Sequence, residues 1–263
     1  MACGDYDDKL SLDLIRDSLI RQEDTIIFNL IERIKFPINS TLYKKPSSWF
    51  PDFTGSLFQY LFQETEALQS KVGRYLSPEE NPFFPDNLPA SIVPPSKCPP
   101  VLHPVAESIN INEKILDVYL NQLLPLFCTE ADEGNYATTA ACDIQLLQAI
   151  SRRIHYGKFV AEVKFRDCSD EYTPLILAQQ DRDALMKLLT FEVVEEMVKK
   201  RVAKKAMIFG QEVTLVDNAK EVKCKVDPLL VSRLYDEWIM PLTKHVQVEY
   251  LLRRLDQNKL TSI

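Results

Sequence analysis

Residues 151–167, SRRIHYGKFVAEVKFRD, carry helical spacing, yet two cations, Arg153 and Lys164, fall on the stripe that should be apolar. At about 100° and 1.5 Å per residue, eleven positions rotate by only about 20° while advancing about 16 Å. The two cations therefore share a face, with Gly157 and Val160 between them, while Arg152, His155, Lys158, Glu162 and Arg166 point elsewhere. A cation at each end of a gap lined by small or apolar groups suits a small molecule with a negative group towards each end. Gly157 would leave room there by removing a Cβ. A plainer reading stays open: such a cation often reaches solvent or pairs with a carboxylate, and a glycine inside a helix often marks a close crossing.

Other segments repeat the oddity. Arg16 shares its stripe with Leu12, Leu19 and Ile27, with Glu23 two turns on as a possible structural partner. In LLTFEVVEEMVKKRV, Glu195 follows Leu188 and Phe191 and precedes Val198 and Val202, so it looks inward while Glu196 looks outward. A buried carboxylate needs a cation or donor nearby. Thr243 and Gln247 are an i, i+4 pair on one helix face, and each alone is commonly a helix-packing hydrogen bond. Taken together, Arg16, Arg153, Lys164, Glu195, Thr243 and Gln247 would furnish a helix-lined pocket for a small dicarboxylate carrying a hydroxyl.

The elements that must position them are helical. The chain has 263 residues, only six of them glycine, and 46% hydrophobic content, enough for a substantial core. Spacing predicts helices over about 10–35, 56–75, 111–127, 138–166, 181–208 and 227–256. Pro241 should kink the last one just before Thr243 and Gln247. Nine of the sixteen prolines fall in SPEENPFFPDNLPASIVPPSKCPPVLHP, an extended connector over about 76–106. Its Phe83, Phe84, Leu88, Ile92 and Val93 are too apolar for a free linker, so it should lie against the helices within one domain spanning 1–263, with 1–9 a flexible N-terminus. The expected fold class is an all-α bundle.

Composition and motifs exclude several functions. The net charge of −7 and the interleaving of opposite charges argue against a nucleic-acid binder. No apolar run approaches the roughly 20 residues that span a bilayer, so no membrane partner is expected. Cys3, Cys98, Cys128, Cys142, Cys168 and Cys224 form no CxxC pair and read as reduced thiols. The acidic start MACGDYDDKL is unlike a transit peptide, so the expected address is the cytosol. There is no GxSxG, HExxH, Walker loop or GxGxxG, and His103, His155 and His245 have no ligand spacing. His155 and His245 are expected on outer faces, and no metal is expected.

Four long segments, IRDSLIRQEDTIIFNLIER, SPEENPFFPD, DIQLLQAISRRIHYGKFVAEVKF and PLTKHVQVEYLLRRL, closely resemble the all-helical chorismate mutases of fungi and plants, and the similarity runs from about residue 10 to the C-terminus. That resemblance implies rearrangement of chorismate to prephenate, the committed step towards phenylalanine and tyrosine, with no cofactor, by a homodimer. Carried over onto matching positions, Arg16 and Arg153 resemble the cations that hold the two carboxylates. Lys164 resembles the donor to the ether oxygen and to a carboxylate, Gln247 the second donor to the ether oxygen, Glu195 the acceptor of the ring hydroxyl, and Thr243 a carboxylate-positioning group.

Two positions depart from the fungal pattern of that family, which has a glutamate at Gln247 and an asparagine at Phe191. A glutamate, with an ordinary pKa of about 4.3, is anionic at neutral pH unless shifted, whereas glutamine donates at any pH. This implies activity that stays level from mildly acidic to mildly alkaline conditions. The segment EGNYATTAACD resembles the family's effector region, where regulated members have a Gly-Ser step that accommodates tryptophan or tyrosine at a subunit interface. Here Asn135, Tyr136, Ala137 and Thr138 occupy that region and Arg74 belongs with it. A Cβ at Ala137, where an effector packs on the backbone or where φ is positive, should weaken effector binding. The expectation is an unregulated form. The rivals are a tryptophan- or tyrosine-regulated plastid form without its transit peptide, and a non-catalytic helical interaction protein.

Overall fold

The computed structural model describes residues 10–45, 53–95, 100–177, 181–212 and 224–256. The expectation for residues 1–9, and Cys3 and Cys98, lie outside them. Helices α1 (Leu12–Arg33), α2 (Leu57–Lys71), α3 (Asn112–Val118), α4 (Leu124–Phe127), α5 (Tyr136–His155), α6 (Gly157–Asp167), α7 (Ser169–Leu177), α8 (Arg182–Leu189), α9 (Glu192–Phe209), α10 (Pro228–Leu234) and α11 (Met240–Arg253) make an all-α fold. Among the described residues the extended pairing is an isolated bridge between Gln211 and Cys224.

Local chemistry sets the ends of these helices. Ser11 caps α1, accepting from Leu14 N, and Ser56 and Gln59 form a reciprocal capping box on α2. Asp181 and Asp227 cap α8 and α10. Pro125 and Pro241 each sit at the start of an α-helix preceded by a π-turn, Tyr119–Leu123 and Tyr235–Ile239. The wider i→i+5 turn accommodates the proline ring and its missing N–H, so the helix continues past Pro241 instead of stopping.

Two helices expected as continuous are divided. The first breaks at Tyr156, between α5 and α6, but Tyr156 keeps right-handed helical backbone (φ −60°, ψ −14°), so rotational phase is roughly preserved. The second breaks at Thr190 and Phe191. Thr190 Oγ1 donates to Met186 O at 2.8 Å, while Phe191 is extended (φ −124°, ψ 90°) and its carbonyl starts α9 by accepting from Val194 N and Glu195 N.

Gly157 has a packing role. A Cβ built there would lie 2.8 Å from Thr243 O and 3.3 Å from Gln247 Cγ, so the glycine seats α6 directly on α11. This close crossing replaces the expectation that Gly157 leaves room for a ligand. The side of α5 and α6 bearing Arg152, Lys158, Glu162 and Arg166 faces protein as well. Lys158 Nζ donates to Asn81 Oδ1 at 2.8 Å and Ala106 O at 2.9 Å, and Arg166 Nη2 donates to Val101 O at 2.7 Å. Glu162 accepts from Arg166, Arg254 and Tyr250. Glu66 of α2 accepts from Phe83 N and Phe84 N, and Phe83 packs on Phe62. The proline-rich segment is thereby tied to α2, α6 and α11.

His155 is buried, not on an outer face. Its Nε2 accepts from Ile111 N at 3.0 Å, and burial, with the nearby Lys158 charge, pushes its pKa down to about 3. His245 is half-buried. Four cysteines, Cys128, Cys142, Cys168 and Cys224, are free thiols.

Gly157→Ala should therefore do harm despite alanine's better helix propensity. Overpacking costs about 1–3 kcal/mol and outweighs a propensity gain of about 1 kcal/mol. The expected outcome is a lower Tm by calorimetry together with reduced activity, because Thr243 and Gln247 sit on the displaced surface.

Candidate active site

The polar stripe residues lie on five helices, α1, α5, α6, α9 and α11. Arg153, near the end of α5, is 5% exposed, and its Nη1 donates to Thr243 Oγ1 at 3.4 Å. Thr243 Oγ1 in turn donates to Ile239 O at 2.6 Å. One turn further along α11, Gln247 is 6% exposed with its Oε1 unpartnered, and Arg153 Nε is likewise unpartnered. Buried polar atoms without partners are uncommon and mark a place where a ligand can complete the bonding.

Lys164, half-buried on α6, has no carboxylate in ion-pair range among the described residues, and its Nζ lies 4.5 Å from the centroid of the Phe191 ring. Burial, reinforced by the Arg16 charge, lowers its pKa to about 8. Glu195, in the first turn of α9, is partly buried and accepts from Lys244 Nζ at 2.8 Å, while Glu196 is exposed. Arg16 stands at the solvent edge: its side chain is 57% exposed and Nη1 pairs with Asp13 Oδ1 at 3.0 Å. The suggested Arg16–Glu23 pairing does not form. Glu23 is fully buried and is gripped by Arg201 at 2.6 and 2.9 Å and by Lys205 at 3.1 Å, which fastens α1 to α9.

Two site residues escaped the sequence reading. Lys244 follows Thr243 directly, and one residue along a helix normally turns a lysine away from the face in question. Its partnership with Glu195 arises only when α9 and α11 pack. Tyr235, in the π-turn before α11, is fully buried with an unpartnered hydroxyl, and it acts electrostatically on Arg153. An aromatic on an apolar stripe reads as core, so no signal distinguished it.

The segment expected to bind effectors starts α5. Ala137 and Thr138 are exposed in its first turn, and Ala137 has ordinary helical backbone; positive φ occurs nearby only at Gly134 (77°). The strain argument at Ala137 therefore falls away, leaving only the bulk of its Cβ. Tyr136 donates to Asp132 Oδ1 at 2.9 Å. Arg74 donates to Glu80 and, through Nη1, to Gln148 Oε1 at 2.8 Å, ten residues beyond Thr138 on α5 and so roughly 15 Å along its axis.

Among the described residues, Asp13 pairs with Arg16 and Glu195 with Lys244, while Arg153 and Lys164 have no carboxylate in ion-pair range. The fold and this surplus of positive charge define an all-helical protein built to take a small polyanion between its helices. Comparison with known proteins makes the class specific. Residues 135–248 match the family of chorismate mutase type II. Chorismate mutase 2 of Arabidopsis thaliana is 62% identical over 251 residues, covering 94% of each chain. The cytosolic chorismate mutase 2 of Zea mays is 51% identical, covering 95% of this chain and 98% of its own. The crystal structure of a Candida albicans chorismate mutase in complex with L-Trp superposes with a TM-score of 0.91 at 38% identity, over 99% of this chain and 97% of that one. The chain belongs to the chorismate mutase type II family.

The lowered pKa of Lys164 sets an alkaline limit. A lysine whose pKa is depressed loses its proton earlier than an exposed one, so the free protein should lose its ammonium donor as pH rises through about 8. The kcat/KM profile should be level from mildly acidic conditions to that point and then fall. In Arg16→Gln, which removes the like charge, the falling limb should move to higher pH; a limb that stays in place would separate Arg16 from Lys164.

Proposed function

We propose that this chain rearranges chorismate to prephenate by selecting a compact conformer of the substrate and stabilising charge on its ether oxygen, with the roles divided as follows. Arg153, its guanidinium buried beside Thr243, and Arg16 at the rim take the two carboxylates. Glu195 accepts the ring hydroxyl. Lys164 and Gln247 donate to the ether oxygen. The single observation that carries this reading is Arg153, buried with its Nε unpartnered and its Nη1 bonded to Thr243 one turn from the buried Gln247, whose amide nitrogen would be the donor.

The reaction is internal to the substrate. One carbon–oxygen bond breaks as one carbon–carbon bond forms, and nothing is added or lost. Chorismate rearranges unaided once its side chain folds over the ring, so holding both carboxylates removes the entropic part of the barrier. Negative charge grows on the ether oxygen as the carbon–oxygen bond opens. Fixed donors in a water-poor site stabilise that charge more than water does, and they do so in the transition state more than in the ground state. Gln247 offers an amide N–H at any pH, so no acid limb is expected from that position.

We further propose a homodimer, an unregulated enzyme and a cytosolic address. Exposed Leu68, Val72 and Leu76 lie at the end of α2 and just beyond it, with exposed Ile92 of the connector tied there through its N–H to Lys71 O, and would be covered by a second copy. Within one chain the 135–138 segment and Arg74 stand apart, so an effector site drawing on both would need two subunits. The Cβ of Ala137 narrows that site. The cytosolic address rests on the name of the Zea mays relative. We also take residues 1–263 as one domain.

Purified protein mixed with chorismate should consume its absorbance. Lys164→Ala should stay folded by circular dichroism while kcat falls at least about a hundredfold, the usual loss for a transition-state donor; near-normal kcat would remove Lys164 from the mechanism. Saturating tryptophan, and separately tyrosine, should leave the rate unchanged; a clear change in either direction would overturn the unregulated reading.

A further inference from the structure

The Lys164 ammonium is half-buried, yet it pairs with no carboxylate among the described residues. Cations in that position normally take a carboxylate. Here the nearest group is the face of the Phe191 ring, 4.5 Å from Nζ to the centroid, inside the distance at which the negative face of an aromatic attracts a cation. Phe191 does not belong to the core: its side chain is 53% exposed, at the break between α8 and α9. Its backbone is fixed nonetheless, because the Phe191 carbonyl accepts from Val194 N and Glu195 N at 2.9 and 3.0 Å. One short piece of chain therefore sets both the ring under Lys164 and the start of the turn that carries Glu195.

We infer that Phe191 is a positioning residue for Lys164, its aromatic face holding the ammonium over the site in the place a carboxylate would otherwise take. This rests on reading Lys164 as the donor to the ether oxygen. The physical advantage lies in what the ring does not do. A carboxylate would occupy the N–H donors and would have to be displaced by each incoming substrate, adding a like charge beside a dianion. A ring favours the charged form through its quadrupole, leaves the N–H groups free to point at the substrate, and carries no net charge.

The groups that set the charge state of Lys164 can be named. Burial and Arg16 from α1 oppose protonation, and Glu195 from α9 is neutralised by Lys244 from α11. The aromatic face is thus the one uncommitted favourable contact of the ammonium among the described residues. Removing it should make Lys164 lose its proton at lower pH, and the charged donor should then be scarcer and less well aimed.

The test compares Phe191→Leu, which keeps apolar bulk without the ring, with Phe191→Tyr, which restores the ring, in the full chain, alongside Lys164→Ala. The kcat/KM profile is measured from pH 6 to 9.5. For Phe191→Leu the alkaline limb should move down by about half to one unit, with kcat/KM near neutrality reduced roughly three- to tenfold. In Phe191→Tyr the limb should return to the wild-type position and activity to within about twofold. An unmoved limb in Phe191→Leu overturns the inference, and so does an equal loss in both variants with the limb in place, which would mark a packing role. If Lys164→Ala is inactive while Phe191→Leu is normal, only this inference fails. If Lys164→Ala is active, the reading of Lys164 fails first.

Discussion

Arg153 carries a charge nearly removed from water, and among the described residues a threonine hydroxyl is its one hydrogen-bond partner and no carboxylate is in ion-pair contact. Burying an ion in this way is unfavourable, and protein structures tolerate it where a ligand of opposite charge completes the arrangement. Much of the surrounding architecture can be understood as meeting that cost. Arg153 cannot swing away to solvent, because the close seating of α6 on α11 at Gly157 holds Thr243 and Gln247 against the turn that follows it. Other charges that could neutralise it are committed elsewhere: Glu23 is occupied by Arg201 and Lys205, and Glu195 by Lys244.

The same logic separates structural from functional charge on α5 and α6. On the side turned from the site, most buried ions are satisfied, although Arg152 Nε is left unpartnered. Arg33 and Asp143 pair directly, with Tyr43 and Tyr119 also bonded to the Asp143 carboxylate, and Glu162 receives three donors. Burial pushes the tyrosine hydroxyls of that cluster well above their ordinary range, so they remain protonated donors. On the side turned towards the site, Arg153 Nε, Gln247 Oε1 and the Tyr235 hydroxyl are left open. A helix pair of this kind is polar on two faces for opposite reasons: one face locks the connector and α1 in place, and the other waits for an anion.

The helical class was legible in the sequence, and the break at Tyr156, between Arg153 and Lys164, keeps helical backbone. The position of Pro241 was legible too, but not the π-turn before it. The π-turn that precedes it is a tertiary accommodation with no sequence period of its own. Partnerships were the least legible feature. Glu23 was matched to Arg16 because they lie on one helix, whereas its true partners sit on α9, nearly 180 positions away. Lys244 was passed over because helix geometry alone turns it from Thr243. Arg16 proved exposed because the stripe of α1 is only partly covered at its N-terminal end, and His155 proved buried because the start of α3, where Ile111 N donates to it, covers a face that periodicity assigns to solvent. Gly157 illustrates the general point: the residue type was noticed correctly, but whether a missing Cβ makes room for ligand or for another helix depends on what packs there.

The central claim is that unpaired cations in a partly dry site are arranged for a dianion. Binding such a ligand must raise the pKa of Lys164 from about 8, so at slightly alkaline pH binding should draw a proton from solution. Isothermal titration calorimetry of a stable dicarboxylate analogue of the compact conformer, run near pH 8.5 in buffers of different ionisation enthalpy, measures that uptake directly. The account predicts net uptake of a substantial fraction of one proton per site, lost in Lys164→Ala together with most of the affinity. Binding of equal strength with no uptake, in both wild type and Lys164→Ala, would contradict it.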